Sequence, residues 1–204
     1  MDFKRPVSSI IPGSTGRILE TLVRTSAEFN LTTLARVAGV SPAQASRVLP
    51  RLVKLGLVTR VDVPPSSLFA LNREHLTAAS LEALANAPAM LVDKLRDLAV
   101  SIAPSPVSIT LFGSAARGSA SASSDIDVLI ERSASVDEDD ISWSDTVVDW
   151  TLSAHASTGN RVNVIEVADR ELPALLRRGS SFWRTVADQG VHVMGRPISE
   201  VVRK

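Results

Sequence analysis

Two short apolar segments, residues 107–112 and 125–131, enclose a loop of small residues, and this pattern constrains the fold more than any other part of the chain. Both segments have the length and the apolar composition of β-strands. The loop between them begins with Gly113-Ser114 and continues through Arg117-Gly118 to a Ser/Ala-rich stretch at 119–124. Its glycines permit tight turns, so we expect a strand, a compact loop and a second strand.

The remainder of this half of the chain predicts a small α/β domain, since strands and helices alternate along it. The acidic residues 137–140 suit the start of a helix, because they complement the helix dipole. The predicted elements are a helix over 136–151, a strand over 161–167, short helices over 169–176 and 180–189, and a last strand over 191–194.

The first third of the chain predicts three short helices and a hairpin. The turn at 38–41 places Gly39 between two helices and Ser41 as the N-cap of the next, with a proline at its first helical position. This order resembles a winged helix-turn-helix. Pro50 lies inside the third helix and predicts a kink or a shorter helix there. The helices are expected over 14–25, 31–38 and 42–55, and the hairpin strands over 57–61 and 68–71.

Domain boundaries are expected where prolines interrupt helical stretches. Residues 74–101 contain two helical stretches separated near Pro88, and Pro104 and Pro106 end the second. The chain is therefore divided into a winged helix-turn-helix domain at 1–75, a helical linker at 76–104 and a catalytic-type domain at 105–204.

The loop at 111–118 and the segment Ser124-Asp125-Ile126-Asp127 together carry a second resemblance. Gly-Ser, a few residues, Arg-Gly and then Ser-Asp-x-Asp is similar to the active-site pattern of polymerase-β-like nucleotidyltransferases of the minimal type. Their fold, a small mixed sheet with flanking helices, is what the resemblance implies here. With the helical N-terminal domain, the expected fold class is α/β in the broad sense, or α+β.

The chemistry of this pattern is the binding of a metal and a triphosphate. Asp125 and Asp127 are two residues apart on a strand, so both side chains point to one face, where their mutual repulsion calls for a cation such as Mg²⁺ or Mn²⁺. Gly113 lets the backbone approach a phosphate, and Ser114 can donate its hydroxyl to one. The expected ligand is a nucleoside triphosphate, with ATP as the first candidate. The expected nucleotide-binding residues are Gly113, Ser114, Arg117, Gly118 and Ser124. The expected catalytic residues are Asp125, Asp127 and Glu166.

The third acid of such sites lies on a later strand. The resemblance places it on the strand at 161–167, where Asn163 stands, and an amide cannot act as a base. Glu166 is the nearest acid. In a regular strand it faces away from the side on which Asn163 lies, and a bulge or an early strand end would bring it back. The alternative role for Glu166 is that of a surface or edge residue.

The winged helix-turn-helix predicts binding to duplex DNA. Residues 1–75 contain ten Lys and Arg against five acids, while residues 101–204 contain ten against fourteen. Gln44 can pair with adenine and Arg47 with guanine or phosphate. The alternative is a dimerisation or protein-docking module. The expected DNA-binding residues are Ser41, Gln44, Arg47, Arg51, Lys54 and Arg60.

The composition fits an intracellular protein, with 45% hydrophobic residues, no cysteine and no apolar run of about 20 residues that could span a membrane. We expect a cytoplasmic DNA-binding protein that binds Mg–NTP and, if active, transfers AMP to a hydroxyl of a protein or small molecule. Two alternatives are a nucleotide-sensing transcriptional regulator without activity and an antitoxin-like partner of a toxin. A homodimer is a further expectation that the sequence leaves open.

Overall fold

The computed structural model describes residues 1–202, and these residues form two compact units. The N-terminal unit is Arg5–Pro88. The C-terminal unit is Met1–Lys4 together with the chain from Ala89 onward. Residues 76–104, expected to form a separate linker, are divided between the units: Leu81 and Ala85 are in the core of the first, Leu91 and Leu95 in that of the second. No helix of the described residues is long and apolar enough to cross a membrane.

The N-terminal unit contains the predicted three helices and hairpin, with short elements added. Its strands form an antiparallel sheet in the order β1-β3-β2. Leu22, Leu34 and Leu49 are fully buried where the helices meet. The helices are α1 Pro6–Ile10, α2 Gly13–Val23, α3 Leu31–Ala38, α4 Pro42–Lys54 and α5 Ala78–Asn86, and the strands are β1 Phe29–Asn30, β2 Val58–Val63 and β3 Ser66–Leu71.

The turn between α3 and α4 has the predicted local chemistry. Gly39 adopts φ 65°, and Ser41 caps α4 by accepting a hydrogen bond from the backbone of Gln44. The expected shortening at Pro50 is wrong, since α4 continues to Lys54. Leu49 and Leu52 are buried on either side of the proline, and their packing keeps this part of the chain helical.

The C-terminal unit contains a mixed four-stranded sheet in the order β6-β5-β4-β7. The β5–β6 pair is parallel and the other pairs are antiparallel, which confirms the predicted fold class. The elements are α6 Leu91–Ala99, β4 Ser108–Phe112, α7 Gly113–Ala116, β5 Ile126–Arg132, α8 Ile141–Thr158, β6 Val162–Ala168, α9 Leu172–Arg178, α10 Ser181–Gln189, β7 Val191–Gly195 and α11 Ile198–Val202. One turn of 3₁₀ helix, Ala87–Met90, precedes α6.

Side chains on β5 alternate between two apolar clusters. Ile126, Val128 and Ile130 pack with α6 and α8, whereas Leu129 packs with α9, α10 and α11 on the other face. Asp127 shares the face of Leu129 by the same alternation. The sheet thus turns its predicted metal ligand toward the face that carries α10.

The helix after β5 starts later than predicted. It begins at Ile141 rather than at 136, and Asp140 is its N-cap, accepting a hydrogen bond from the backbone N–H of Trp143 at 3.1 Å. A carboxylate that caps a helix satisfies an N–H of its first turn, so the acidic run precedes the helix.

Candidate active site

The turn after β4 brings the backbone directly against Asp127. Gly113 adopts φ 73°, and a Cβ atom built on it would lie 2.4 Å from Oδ2 of Asp127. An added side chain would displace the Asp127 carboxylate, and the positive φ would strain the backbone of any other residue. The backbone conformation therefore favours a glycine here, and its missing side chain leaves the main chain directly beside the acid.

Asp125 and Asp127 lie together at the start of β5, as the period of the strand predicts. Asp127 is in register with Phe112 on β4 and with Asn163 on β6. The Asn163 amide nitrogen donates to Oδ2 of Asp125 at 3.1 Å and to Oδ1 of Asp127 at 3.3 Å. We call the two aspartates the acid pair, and the Asn163 amide bonds to both of them.

The donor set of the acid pair fits one hard cation. Among the described residues neither aspartate has a Lys, Arg or His within ion-pair distance. Two carboxylates and an amide whose oxygen could turn inward are ligands that Mg²⁺ or Mn²⁺ accepts. Within residues 1–202, no group of three His, Cys, Asp or Glu side chains could hold a metal, so a third carboxylate is lacking.

Glu166 does not join this site, which corrects the expectation that it could serve as the third acid. It is in register with Ile130, three residues along β5 from Asp127, and the pairing of β5 with β6 continues without a bulge. Its carboxylate accepts from Nε of Arg132 at 2.5 Å and from Nε1 of Trp143 at 3.0 Å. An odd spacing on a regular strand places it on the opposite face from Asn163.

The predicted phosphate-binding residues lie along the loop, and the side chains of two of them, Arg117 and Ser124, are held by hydrogen bonds. Arg117 is exposed and donates to Oε1 of Gln189 at 3.1 Å. The Ser124 hydroxyl oxygen accepts from the backbone N–H of Ser121 at 2.9 Å, which gives it a structural role in the turn. Gly118 has φ 64°, with open space where a side chain would lie. Ser114 is half-buried immediately after Gly113.

Asn160 is the positioning residue that the sequence did not identify by role. Its buried amide nitrogen donates to the carbonyl oxygens of Ser121 at 3.2 Å and Ser124 at 2.8 Å. These bonds hold the backbone that leads directly into Asp125. The segment Thr158-Gly159-Asn160 is a signal in the sequence that could have pointed to it, since Gly159 ends α8 with φ 72° and Asn160 follows directly.

The predicted DNA-binding residues of the N-terminal unit are placed in two ways. Arg47, Arg51 and Lys54 are exposed on α4, at spacings that share one side of the helix. Ser41 and Gln44 bond to each other's backbone in a capping box, so the Gln44 side-chain oxygen accepts from the Ser41 N–H at 2.8 Å. These two side chains therefore have a structural task at the start of α4.

Arg60 on β2 is paired within the hairpin. Its guanidinium donates to Asp62 at 2.9 Å, and the Ser67 hydroxyl donates to the same oxygen of Asp62 at 2.6 Å. The hydrogen bond from Ser67, followed by that from Arg60, lowers the pKa of Asp62 below its ordinary value. Arg60 can contact a phosphate by leaving or sharing this pair.

Comparison with known proteins identifies both units. Residues 15–62 match the family model of the IclR helix-turn-helix domain, and residues 92–174 match that of the nucleotidyltransferase domain. The chain therefore carries the predicted fusion of a helix-turn-helix to a nucleotidyltransferase domain. No protein of curated function matches it.

Two solved structures are similar to 55% of this chain. One is a crystal structure of a toxin–antitoxin with AMP-PNP, 21% identical over 81% of that chain, with a TM-score of 0.38. The other is a crystal structure of a mutant of the toxin–antitoxin MntA-HpeT, 18% identical over 80% of that chain, with a TM-score of 0.37.

Proposed function

We propose that this chain, which joins an IclR-type helix-turn-helix domain to a nucleotidyltransferase domain, is a DNA-binding protein that binds a magnesium–nucleoside triphosphate, ATP first. The observation that carries the proposal is the acid pair at the start of β5. Asp127 lies beside the Gly113 backbone, the Asn163 amide bonds to both acids, and no basic side chain among the described residues neutralises them.

Different residues of the site would hold the metal and the triphosphate. Asp125 and Asp127 would hold Mg²⁺ or Mn²⁺, which would neutralise phosphate charge. The bare backbone at Gly113 and the Ser114 hydroxyl would face the phosphates. Arg117 lies at the exposed end of the loop and can reach phosphate by exchanging its bond to Gln189.

Nucleotide binding without rapid transfer is the activity that this site supports best. Asn163 occupies the place of the third acid and cannot accept a proton as a base. Glu166 is engaged by Arg132 and Trp143 on the opposite face. We therefore propose a nucleotide-sensing regulator whose DNA affinity depends on the occupied nucleotide site.

Calorimetry of the full chain with ATP and Mg²⁺ tests the nucleotide site. We expect binding by the wild type and its loss in Asp125→Ala/Asp127→Ala, because the metal ligands are removed. The control Asp145→Ala/Asp149→Ala removes the same charge from two exposed positions on α8 and should bind normally. Equal affinity in both double variants would remove the metal site from the proposal.

Fluorescence anisotropy with a labelled duplex tests DNA binding. Each phosphate contact contributes about 0.9 to the slope of log affinity against log salt concentration. Arg47→Ala/Arg51→Ala should weaken binding and reduce that slope by about two contacts, whereas Lys94→Ala/Arg170→Ala in the C-terminal unit should not. Titrations with and without Mg–ATP then measure the coupling. Equal DNA affinity in both would contradict the regulatory part.

Nucleotidyl transfer is the second candidate, and the joined loop and Asp-x-Asp geometry favours it. In this case a hydroxyl of a protein partner, such as a toxin, or of a small molecule attacks the α-phosphorus of ATP. A new oxygen–phosphorus bond forms, the bond to the bridging β-phosphate oxygen breaks, pyrophosphate leaves and the hydroxyl proton passes to solvent. Incubation of the protein and a cell lysate with ATP labelled at the α-phosphate should label an acceptor. The absence of label with every nucleoside triphosphate would reject transfer while leaving the binding proposal intact.

A further inference from the structure

One aromatic side chain is placed in solvent beside the Gly113 turn. The chain contains three Trp, five Phe and no Tyr. Among the described residues Phe182 is the most exposed of these, at 38%. Its ring lies on α10, edge-to-face with Phe112 at 5.6 Å and with Trp183 at 4.9 Å between centroids. Both neighbours hold the ring in place while leaving part of it accessible.

The accessible part of Phe182 borders a small cavity that is shallow and open to solvent. This cavity has a volume of about 300 Å³, the lower end of the size range of small-molecule sites. Its lining is mostly apolar, with two hydroxyls one helical turn apart on α10. The lining residues are Phe112, Gly113, Ser181, Phe182, Thr185 and Val186.

Gly113 connects this cavity to the acid pair. The same residue lines the cavity and lies against Oδ2 of Asp127. Phe112, in register with Asp127, shares its sheet face, and this is the face on which α10 packs. A ligand in the cavity would therefore be adjacent to the backbone that faces the triphosphate.

The polar groups of the cavity suit a sugar or a base edge. The Ser181 hydroxyl has no hydrogen-bond partner among the described residues, so it can donate or accept. The Thr185 hydroxyl donates to the Ser181 carbonyl at 2.9 Å, which leaves its oxygen able to accept. An aromatic face with a few hydroxyls beside it matches a nucleoside better than a purely apolar ligand.

We infer that this cavity is the nucleoside subsite of the proposed nucleotide site, with a purine base stacked on Phe182 and the ribose near Ser181. A base offers a π-face to an aromatic ring, and such stacking contributes measurably to the binding of single nucleotides. A purine offers the larger face. The inference rests on the proposed function, since it assigns the base of the triphosphate whose phosphates lie at Gly113.

The test compares Mg–ATP with Mg–tripolyphosphate on the full chain by calorimetry. Wild type should bind ATP at least about tenfold more tightly than tripolyphosphate, a factor that corresponds to about 1.4 kcal/mol. Phe182→Ala should lose about that factor for ATP and nothing for tripolyphosphate, and Phe182→Trp should retain it. Ile141→Ala, another exposed apolar position in the same unit, is the control and should change neither affinity.

The outcomes separate the inference from the proposed function. Equal affinities for ATP and tripolyphosphate, or an unchanged ATP affinity in Phe182→Ala, would overturn the subsite and leave the phosphate and metal site standing. Failure of both ligands to bind the wild type would overturn both. Because Phe182 is exposed, its variants should fold, and thermal unfolding of each variant verifies this.

Trp183 provides a second readout, because it contacts Phe182 at the edge of the cavity. It contacts Phe182 and is half-buried, whereas Trp143 and Trp150 are fully buried in the other apolar cluster. ATP should change the fluorescence of Trp183, and tripolyphosphate should change it less. A Trp183→Phe variant that retains the full ATP-dependent change would contradict the placement of the base.

Discussion

The paired strands β5 and β6 carry acids in two contrasting environments. At one end, Asp125 and Asp127 receive hydrogen bonds from the Asn163 amide and have no ion-pair partner among the described residues. Three residues along and on the opposite face, Glu166 is paired with Arg132, whose side chain is only 8% exposed. An acid that the chain neutralises stabilises the fold, whereas an acid pair left without a counterion is suited to bind a cation from outside.

The largest expected effect is a loss of stability when the ion pair between Glu166 and Arg132 is broken. Glu166→Ala leaves the Arg132 guanidinium buried without its carboxylate, and loss of one partner of such a pair costs about 3 kcal/mol. Asp125→Ala removes a half-buried acid that lies beside another acid, and it should change the free energy of unfolding by no more than about 0.5 kcal/mol. Urea unfolding of both variants measures the difference. Similar losses in the two variants would break the contrast.

Gly113→Ala should give the next largest effect, at the point where backbone meets the acid pair. The variant combines a positive φ, worth about 1 kcal/mol, with a contact of 2.4 Å to Asp127. Gly118→Ala has a similar φ of 64° and open space around the added atom, so it isolates the backbone cost. We expect Gly113→Ala to lose about 2 kcal/mol and Mg–ATP binding, and Gly118→Ala to lose about 1 kcal/mol.

A cross-check uses the contact itself. In an Asp127→Gly background the added Cβ at Gly113 meets no carboxylate, so the two glycine variants should then cost the same amount. If Gly113→Ala remains the more costly of the two, the close approach to Asp127 is not the cause.

The features of the two acid environments that depend on positions within one strand follow from the sequence. Alternation along a strand places Asp125 and Asp127 on one side, and the glycine at 113 predicts the turn beside them. The same alternation predicts that Glu166 faces away from Asn163. The regular register of β5 with β6 decides against the bulge that would have reversed this.

The contacts between residues far apart in the chain do not follow from the sequence. Arg132 and Glu166 are 34 positions apart, and Phe182 meets Phe112 only because α10 packs on the sheet. A pattern of residues states which face a side chain occupies, but not which distant helix covers that face. The role of Asn160 was missed for the same reason, since its carbonyl partners lie 36 and 39 positions earlier.

Asn163→Asp should have a smaller effect on stability than the preceding variants. A third carboxylate beside Asp125 and Asp127 adds repulsion, which we expect to lower stability by about 1 kcal/mol without metal. Mg²⁺ should restore that loss, because it binds the folded site. Thermal unfolding with and without Mg²⁺ measures both, and Asn163→Ala is the control that removes the amide without adding charge. A larger Mg²⁺-dependent rise in Tm for Asn163→Ala than for Asn163→Asp would contradict the metal site.

The smallest effect concerns Asp62, an acid that the chain neutralises in full contact with solvent. The Ser67 hydroxyl and then Arg60 lower its pKa below the ordinary 3.8. A lowered pKa in the folded state means that these bonds stabilise the hairpin above pH 3.8 and lose that effect as the pH falls through the folded value.

Carboxyl-carbon NMR titration should therefore show the pKa of Asp62 rising toward 3.8 in Ser67→Ala, which removes one hydrogen bond, and also in Arg60→Ala, which removes a hydrogen bond and a charge. If Ser67→Ala leaves the pKa unchanged and only Arg60→Ala raises it, the charge of Arg60 rather than the serine hydrogen bond holds the pKa down. In that case salt should reduce the shift, because exposed charges are screened. The titration would then distinguish Asp62, whose ion pair is exposed to solvent, from the buried pair of Glu166 and Arg132. Salt screens the interaction within that buried pair far less.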